Sequence, residues 1–304
     1  MQELITVLMS TYNETEGDLR KSIDSILQQS YRHTEFLIIN DNPTNEMLAR
    51  VLEEYHNRDP RVRVIKNDKN MGLVASLNRG WCLASGEYIA RMDADDIALP
   101  DRLEKQMVFL REKGYDFVGA GIQHIDEKGD IISPLFLFPQ TPGEIRKVTK
   151  KTDCVPHPTW LIKKSVMEAL DGYRDIPCCE DYDFVLRAQQ KGFLLGNLQV
   201  LGLYYRVRST GLSKSNWARQ TLTTEFLSKN WERADSCTMA EIEAYMQTKQ
   251  AKRHAAFLNC QAENSALPIP GRQKAIRLFC QCWHNHHFWK YVFLRIRCAF
   301  TGKQ

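Results

Sequence analysis

The chain has 304 residues, 43% hydrophobic and 26% charged, ordinary values for a globular protein with room for one large domain, or one domain and an appendage. Its formal charge of +4 is unevenly spread: no Asp or Glu follows Glu263, seven Lys/Arg lie beyond it, and the first 263 residues carry −3. No apolar run reaches the ~18–20 residues that cross a bilayer, and the start lacks the basic, apolar and cleavage regions of a signal peptide. Nine cysteines show no paired zinc-type spacing, and an odd count without an export signal suggests reduced thiols and a cytoplasmic location.

Strand and helix signals alternate from the start. Leu4–Met9 reads as a buried strand and Leu19–Gln29 as an amphipathic helix with Leu19, Ile23, Ile26 and Leu27 on one face. Phe36–Ile39 is a second strand, closed by the turn cluster Asn40-Asp41-Asn42-Pro43. Glu46–His56 is helical and Val62–Ile65 a third strand. Gly72 introduces a helix from about Val74 to Ala84, and Tyr88–Met92 is a fourth strand. Pro100 opens a helix to Lys113 that Gly114 ends, and Phe117–Ile122 is a further strand. Asp126–Pro142 reads as a hairpin or loop, Leu161–Ile162 as a short strand, and Ser165 as a helix cap. Asp181–Lys191 is an amphipathic helix closed by Gly192, and Val200–Val207 is strand-like. Beyond about Ser213 the pattern is helical: Asn216–Trp231, Met239–Asn259, and Gln273 to about Ala299 with breaks near Asn285.

This alternation predicts an α/β fold with a mainly parallel sheet and helices on both faces. Ligands in such sheets bind beyond the carboxyl ends of the strands. Ser10–Glu14, Asn40–Asn42 and Asp93–Asp96 all follow strands, so they gather at one edge. Asp93, Asp95 and Asp96 put three carboxylates within four positions. A hard divalent cation with oxygen ligands relieves such crowding, and in an α/β chain it commonly holds a nucleotide diphosphate.

The ordered set Ser10-Thr11-Tyr12-Asn13-Glu14, Asn40-Asp41-Asn42, Asp93-Ala94-Asp95-Asp96 and Glu180-Asp181 resembles the family 2 glycosyltransferases of the GT-A fold, over roughly residues 4–213. The resemblance implies a Rossmann-like GT-A domain over 1–213, with a nucleotide-binding half to about residue 120 and an acceptor half after it. Residues 214–304 then form a helical appendage. It also implies an inverting, hexosyltransferase-type transfer from a nucleotide-sugar, usually UDP-linked, to a hydroxyl of a glycan or lipid-linked acceptor in surface-polysaccharide assembly.

The resemblance carries roles onto particular residues. Mn2+ or Mg2+ would sit on Asp95, with Asp93 and Asp96 nearby and Asp93 also facing the ribose or sugar. Asp96 otherwise caps the helix after Pro100. Ser10, Thr11, Tyr12, Asn13 and Glu14 would cradle the nucleoside, with Tyr12 stacking on the base; the alternative is a plain strand-to-helix turn capped by Asn13 or Thr15. Asp41 would accept from uracil N3–H, unless Asn40–Asn42 is only an Asx-turn. Asp181, beside Glu180, is the candidate general base, its pKa lowered by the helix N-terminus; otherwise both acids only complement the helix dipole. His157 either flanks the acceptor pocket or is structural. Arg208 stands where the family often has a His; it has no lone pair for a metal and would contact the diphosphate instead. Arg91 is expected in a salt bridge with an Asp.

The tail intersperses Ile276, Phe279, Trp283, Phe288, Trp289, Val292, Phe293, Ile296 and Phe300 with basic residues. That mix suits a helix on an anionic membrane surface, making the protein peripheral, or an ordinary helix covering the core. No nucleic-acid motif is recognised, so no nucleic-acid partner is expected. Two other readings stay open: an interaction module that binds a nucleotide-sugar without catalysis, and a sugar-phosphate nucleotidyltransferase. The second would want a Gly-rich, basic loop after the first strand, which Ser10–Glu14 is not.

Overall fold

The computed structural model describes residues 2–176, 178–208, 216–266, 271–282 and 285–288. Four βα steps open the chain: β1 (Ile5–Thr11), α1 (Glu16–Leu27), β2 (Thr34–Asn40), α2 (Glu46–Arg58), β3 (Val62–Lys66), α3 (Leu73–Leu83), β4 (Tyr88–Asp93) and, after the two-residue β5 (Ile97–Ala98), α4 (Arg102–Lys113). Then follow β6 (Phe117–Ile125), β7 (Ile131–Phe136), α5 (Pro142–Thr149), β8 (Leu161–Lys163), α6 (Lys164–Leu170), α7 (Glu180–Gln190) and β9 (Leu195–Arg206). The helical region comprises α8 (Trp217–Lys229), α9 (Met239–Gln247), α10 (Lys249–Ala266) and α11 (Gly271–Cys282).

The strands form one sheet in the order β3-β2-β1-β4-β8-β6-β9-β5, with β7 paired to β6. The half β3-β2-β1-β4 is wholly parallel, as the βα alternation predicts. β8 runs antiparallel to both β4 and β6, so β6 points the same way as β4, and β9 is parallel to β6. The carboxyl ends of β1, β2, β4, β6 and β9 therefore lie toward one edge.

Strand alternation divides the core between two faces. Ile5, Val7, Met9, Phe36 and Ile38 pack with Leu19 and Ile23 of α1, Leu48 and Val51 of α2 and Leu103 and Met107 of α4. Leu8, Leu37 and Ile39 pack with Leu77 of α3, Ile145 of α5, Val166 of α6 and Phe184 of α7. Helices thus cover both faces, and the site edge is left to the loops between them.

Local chemistry explains most boundaries. Thr15 and Asn45 cap α1 and α2 by accepting from Asp18 N and Leu48 N. Gly114 closes α4 in the left-handed region at φ 64°. The sequence reading did not single out α5, although Thr141, Pro142 and Glu144 supply a full capping box with Pro in the first turn. Ser165 is not a cap: β8 runs straight into α6, with Lys163 at the cap position. The helix expected over Met239–Asn259 breaks at Thr248, which is extended (ψ 150°) and accepts from Ala251 N. Trp231 begins a 3-10 stretch, Trp231–Ser236, instead of ending α8.

The helical region shares a core with α7. Tyr182 and Leu186 of α7, with Ile176 and Cys179, pack against Phe226 and Leu227 of α8, Ala234, Cys237 and Ile242 of α9. Arg174 adds hydrogen bonds to Ala234 O, Asp235 O and Cys237 O and an ion pair to Asp183. In the tail, Leu278, Cys282 and Phe288 pack with Phe257 of α10, while Ile276 is exposed. The side chain of Phe279, and Trp283, Trp289, Val292, Phe293, Ile296 and Phe300, lie outside the described residues. Among the described residues no helix is long and apolar enough to cross a membrane.

Candidate active site

The register brings the predicted segments together. Ser10 of β1 pairs with Asp93 of β4, and Thr11 with Asn40 of β2. Ser22 of α1 donates to Asp93 O at 2.8 Å, tying the turn after β4 to the first helix. Beyond β1, Glu14 accepts from the Thr11 hydroxyl (2.5 Å) and from Tyr12 N (2.8 Å). This closes the loop without Asn13 as a cap. Burial pushes the Glu14 carboxyl up, and the Asp95 charge adds to it. Asn42 donates to Tyr12 O and Asn13 Oδ1, joining the β1 and β2 loops. Tyr12 is 41% exposed, which leaves its ring open for stacking.

Asp41 is 3% exposed and already occupied. Its carboxylate accepts from Asn67 Nδ2 (2.6 Å), Met71 N (2.8 Å) and Gly72 N (2.9 Å). The direct contact to a base N–H expected of Asp41 thus meets a carboxylate committed to the loop before α3. The Asx-turn is present too: Asn42 N donates to Asn40 Oδ1 at 3.0 Å.

The acidic turn is held by arginines. Arg91, 4% exposed, forms an ion pair with Asp93, as the sequence suggested. Arg208 donates through Nε to Asp95 Oδ2 at 2.7 Å and through Nη2 to Asp18 Oδ2 at 2.9 Å. Arg206 donates through Nε to Asp95 O at 2.8 Å and pairs through Nη2 with Asp18 Oδ1 at 3.3 Å. Asp18 was not singled out in the sequence. It sits three residues after Thr15 and reads there as part of a helix cap, a role it also fills.

The three acids of the turn differ in what they can do. Asp96 is 1% exposed and accepts from Arg206 N at 2.7 Å; its pKa is raised well above the carboxylate range, first by burial and then by Asp93 and Asp95. It does not cap α4, whose cap position is Asp101. Burial against β9 and the hydrogen bond from Arg206 N make Asp96 an anchor of the turn. Asp95 is partly exposed, with its pKa raised by burial and by Asp93, partly offset by Arg208. Asp93 and Asp95 each keep one oxygen beyond the one an arginine holds.

Among the described residues no three His, Cys, Asp or Glu converge into a protein cage for a metal. Two crowded carboxylates with one free oxygen each fit a hard cation that takes the rest of its shell from a diphosphate and water, as Mg2+ characteristically does.

Glu180 and Asp181 open α7. Asp181 Oδ1 accepts from Tyr182 N at 2.7 Å. Its pKa is nevertheless raised: burial outweighs that hydrogen bond and the Arg91 charge, and Asp93 adds to the rise. This reverses the sequence expectation that the helix N-terminus lowers it, because desolvation of a buried carboxylate exceeds a first-turn dipole effect. Burial, then Asp181, pushes Glu180 up to about 7. Asp153, absent from the sequence reading, is driven up to about 8 by burial and then by Asp181.

His157 is 8% exposed and structural in its contacts. It packs at an angle between Trp160 and Tyr173, its ring centroid 4.5 Å from that of Trp160, and its Nε2 shares a hydrogen bond with the Tyr173 hydroxyl at 3.0 Å. Burial and then Arg91 hold its pKa well below the usual value, so the ring is neutral. Tyr173 lies within electrostatic reach of Arg91, Glu180, Asp181 and Asp93, and its phenol is driven up mainly by burial. No sequence signal marked Tyr173 or Asp153, because neither belongs to a motif with regular spacing.

The comparisons with known proteins bear on this arrangement. The model of "Glycosyl transferase family 2" matches residues 6–171. An uncharacterized glycosyltransferase of Methanocaldococcus jannaschii is 33% identical over 231 residues, 75% of this chain and 80% of its own length. The O-antigen biosynthesis glycosyltransferase WbnJ of Escherichia coli is 33% identical over 216 residues, 70% of this chain and 83% of its own.

Among solved structures, S. aureus TarS 1–349 with UDP-GlcNAc superposes with a TM-score of 0.62 at 16% identity, covering 85% of this chain and 81% of that one. The mannosyltransferase PcManGT of Pyrobaculum calidifontis, with GDP-Man and Mn2+, gives 0.60 at 15% identity, covering 98% and 86%. At such identities the structural likeness speaks for the fold alone, and it is the GT-A fold expected. With the family model spanning more than half of the chain, and the relatives aligned over most of their length, the protein is a glycosyltransferase and belongs to glycosyl transferase family 2.

Proposed function

We propose that the protein transfers a sugar with inversion from a nucleotide-sugar to a hydroxyl of a glycan or lipid-linked acceptor, with Asp181 as general base. The observation that carries this reading is the convergence on Arg91: its charge reaches Asp93 at the end of β4 and both Asp181 and Glu180 at the start of α7. Donor and acceptor chemistry would meet there. The acceptor oxygen forms a bond to the anomeric carbon as the bond from that carbon to the diphosphate oxygen breaks. The nucleotide diphosphate leaves with the electron pair, and Asp181 takes the hydroxyl proton. A base whose pKa is raised above that of an ordinary aspartate holds the transferred proton better.

In this reading Asp95 and Asp93 hold Mn2+ or Mg2+. Such a cation would neutralise the charge that builds on the leaving diphosphate. Asp96 and Asp18 fix the position of Arg206 and Arg208, and Arg208 turns from Asp95 toward the phosphates when donor is present. Ser10, Thr11, Tyr12, Asn13 and Glu14 form the nucleoside cradle, with Tyr12 as stacking platform. Asp41 acts on the nucleoside through the loop Asn67–Gly72 that it holds. His157 positions Tyr173.

Residues 1–120 form the nucleotide half and 121–213 the acceptor half, with the helices after 214 completing the molecule. UDP is the first nucleotide to test, because the family resemblance implies it; TarS is bound to UDP-GlcNAc and PcManGT to GDP-Man, which sets the second arm. The relative in O-antigen biosynthesis supports a surface-glycan acceptor. The acid-free basic stretch after Glu263 supports contact with an anionic membrane surface on the cytoplasmic side.

The test is a thermal-shift panel of UDP, GDP, CMP and dTDP, with and without Mn2+, on wild type and Asp95→Ala. A ligand that binds only the folded state raises the melting temperature by mass action. The expected result is a Mn2+-dependent shift for one nucleoside diphosphate, UDP first, lost in Asp95→Ala. Absence of a shift with every nucleotide would overturn the reading.

A further inference from the structure

A cavity of about 550 Å³ opens between the start of α7 and the inner face of α8. That volume lies within the roughly 300–1,000 Å³ typical of small-ligand sites. Its walls are polar and come from three stretches of chain: Lys151–Asp153 after α5, Cys178, Cys179, Asp181 and Tyr182 at the start of α7, and the face of α8 that carries Gln220 and Glu225.

Asp181 belongs to that wall and also feels Arg91 and Asp93, so it stands between the cavity and the donor side. Several cavity groups are already committed. The Ser228 hydroxyl donates to Lys150 O, Thr221 to Trp217 O, and Thr224 meets the Cys179 thiol. Glu225 is held by Lys229 and His254. Among the described residues the Gln220 amide and the Thr152 hydroxyl make no hydrogen bond to a protein group, although both line the space.

We propose that this cavity is the acceptor site and that it takes a neutral, hydroxyl-rich saccharide, seated between Gln220 and Thr152 with its reacting hydroxyl toward Asp181. The proposal rests on Asp181 being the base. An amide and a hydroxyl with open donors and acceptors match sugar hydroxyls, which both give and accept hydrogen bonds. Asp181, ionised when it acts as base, and Glu225 line the same space with a single lysine, Lys151, so an acceptor bearing a carboxylate or phosphate at this position meets repulsion, while Asp153 is held protonated and offers a donor. Because α8 supplies one wall, the helical region takes part in substrate choice and is more than a support. Its helix face, which no motif of the family resemblance reaches, sets which saccharide fits.

The test uses saturation-transfer NMR on the full chain with Mn2+ and the nucleotide that passes the thermal-shift panel. The probes are p-nitrophenyl glycosides of glucose, galactose and N-acetylglucosamine, against the glucuronide. Wild type, Gln220→Ala and Gln220→Trp are compared, and nucleotide binding is measured on each. The expected result is transfer to at least one neutral glycoside and none to the glucuronide, weakened several-fold in Gln220→Ala and abolished in Gln220→Trp, with nucleotide binding unchanged. Neutral glycosides that bind Gln220→Trp as well as wild type would overturn the proposal. So would a preference for the glucuronide, or no glycoside binding to protein that binds nucleotide. Failure of wild type to bind any nucleotide would instead sink the functional reading on which the proposal rests.

Discussion

Asp181 is half-buried within electrostatic reach of Arg91 and Asp93, and the balance of those charges with desolvation leaves its pKa above the ordinary aspartate value of 3.8. A base must be ionised to accept a proton, so transfer falls as pH drops through that raised pKa. The acidic limb of kcat/KM is therefore expected above pH 3.8, as a pH–rate profile will show. Asp181→Asn should lower kcat by about 10²–10⁴-fold while nucleotide binding, read by thermal shift, stays as in wild type. Asp153 makes a different prediction. Its folded pKa of about 8 lies above the unfolded value of 3.8, so the folded state binds more protons between those pH values. Stability from this group is full below about 3.8 and is lost as pH rises to about 8. Asp153→Asn removes the slope: its melting temperature should exceed that of wild type most at pH 8, with the gain shrinking toward pH 5. A gain independent of pH would refute the assignment.

At the scale of elements, the loop before α3 depends on two residues. Asp41 accepts from Met71 N and Gly72 N, and Gly72 sits at φ 85°, ψ 163°, a region open essentially to glycine. A Cβ at Gly72 would meet no neighbour within 4 Å, so any cost of Gly72→Ala comes from the backbone alone. That cost is about 1–3 kcal/mol, measurable as a lower urea midpoint. The end of β9 is the other dependent element. Arg206 and Arg208 hold the turn after β4 through Asp18, Asp95 and Asp96, so α1, β4 and β9 are joined at one point.

At the scale of the whole molecule, the helices after residue 216 are bound into the fold through α7, the helix whose first turn carries Asp181. Leu227 of α8 is fully buried against Ile176, Tyr182 and Leu186. Leu227→Ala should cost about 2–5 kcal/mol in a single unfolding transition that also weakens saccharide binding. Ending the chain at residue 213 would expose the same apolar face of α7. The shortened protein is expected to aggregate or melt at a markedly lower temperature than the full chain, and an unchanged melting temperature would show that the helices are dispensable.

Much of this was legible in the residues alone. Period-two and period-3.6 patterns marked the strands and helices of the first half, since a buried strand or a one-sided helix leaves its repeat in local order. Capping and turn residues marked their ends. The carboxylates after β4 and at α7 were visible because strand ends and helix starts place such groups predictably. What needed the tertiary structure were relations between distant positions. Asp96 proved to be buried against β9, and three hydrogen bonds from one loop occupied Asp41. Desolvation turned the Asp181 shift upward, and the packing of α8 on α7 created a cavity. Burial, dielectric and cavity shape are sums over neighbours far apart in the chain, so no local pattern encodes them.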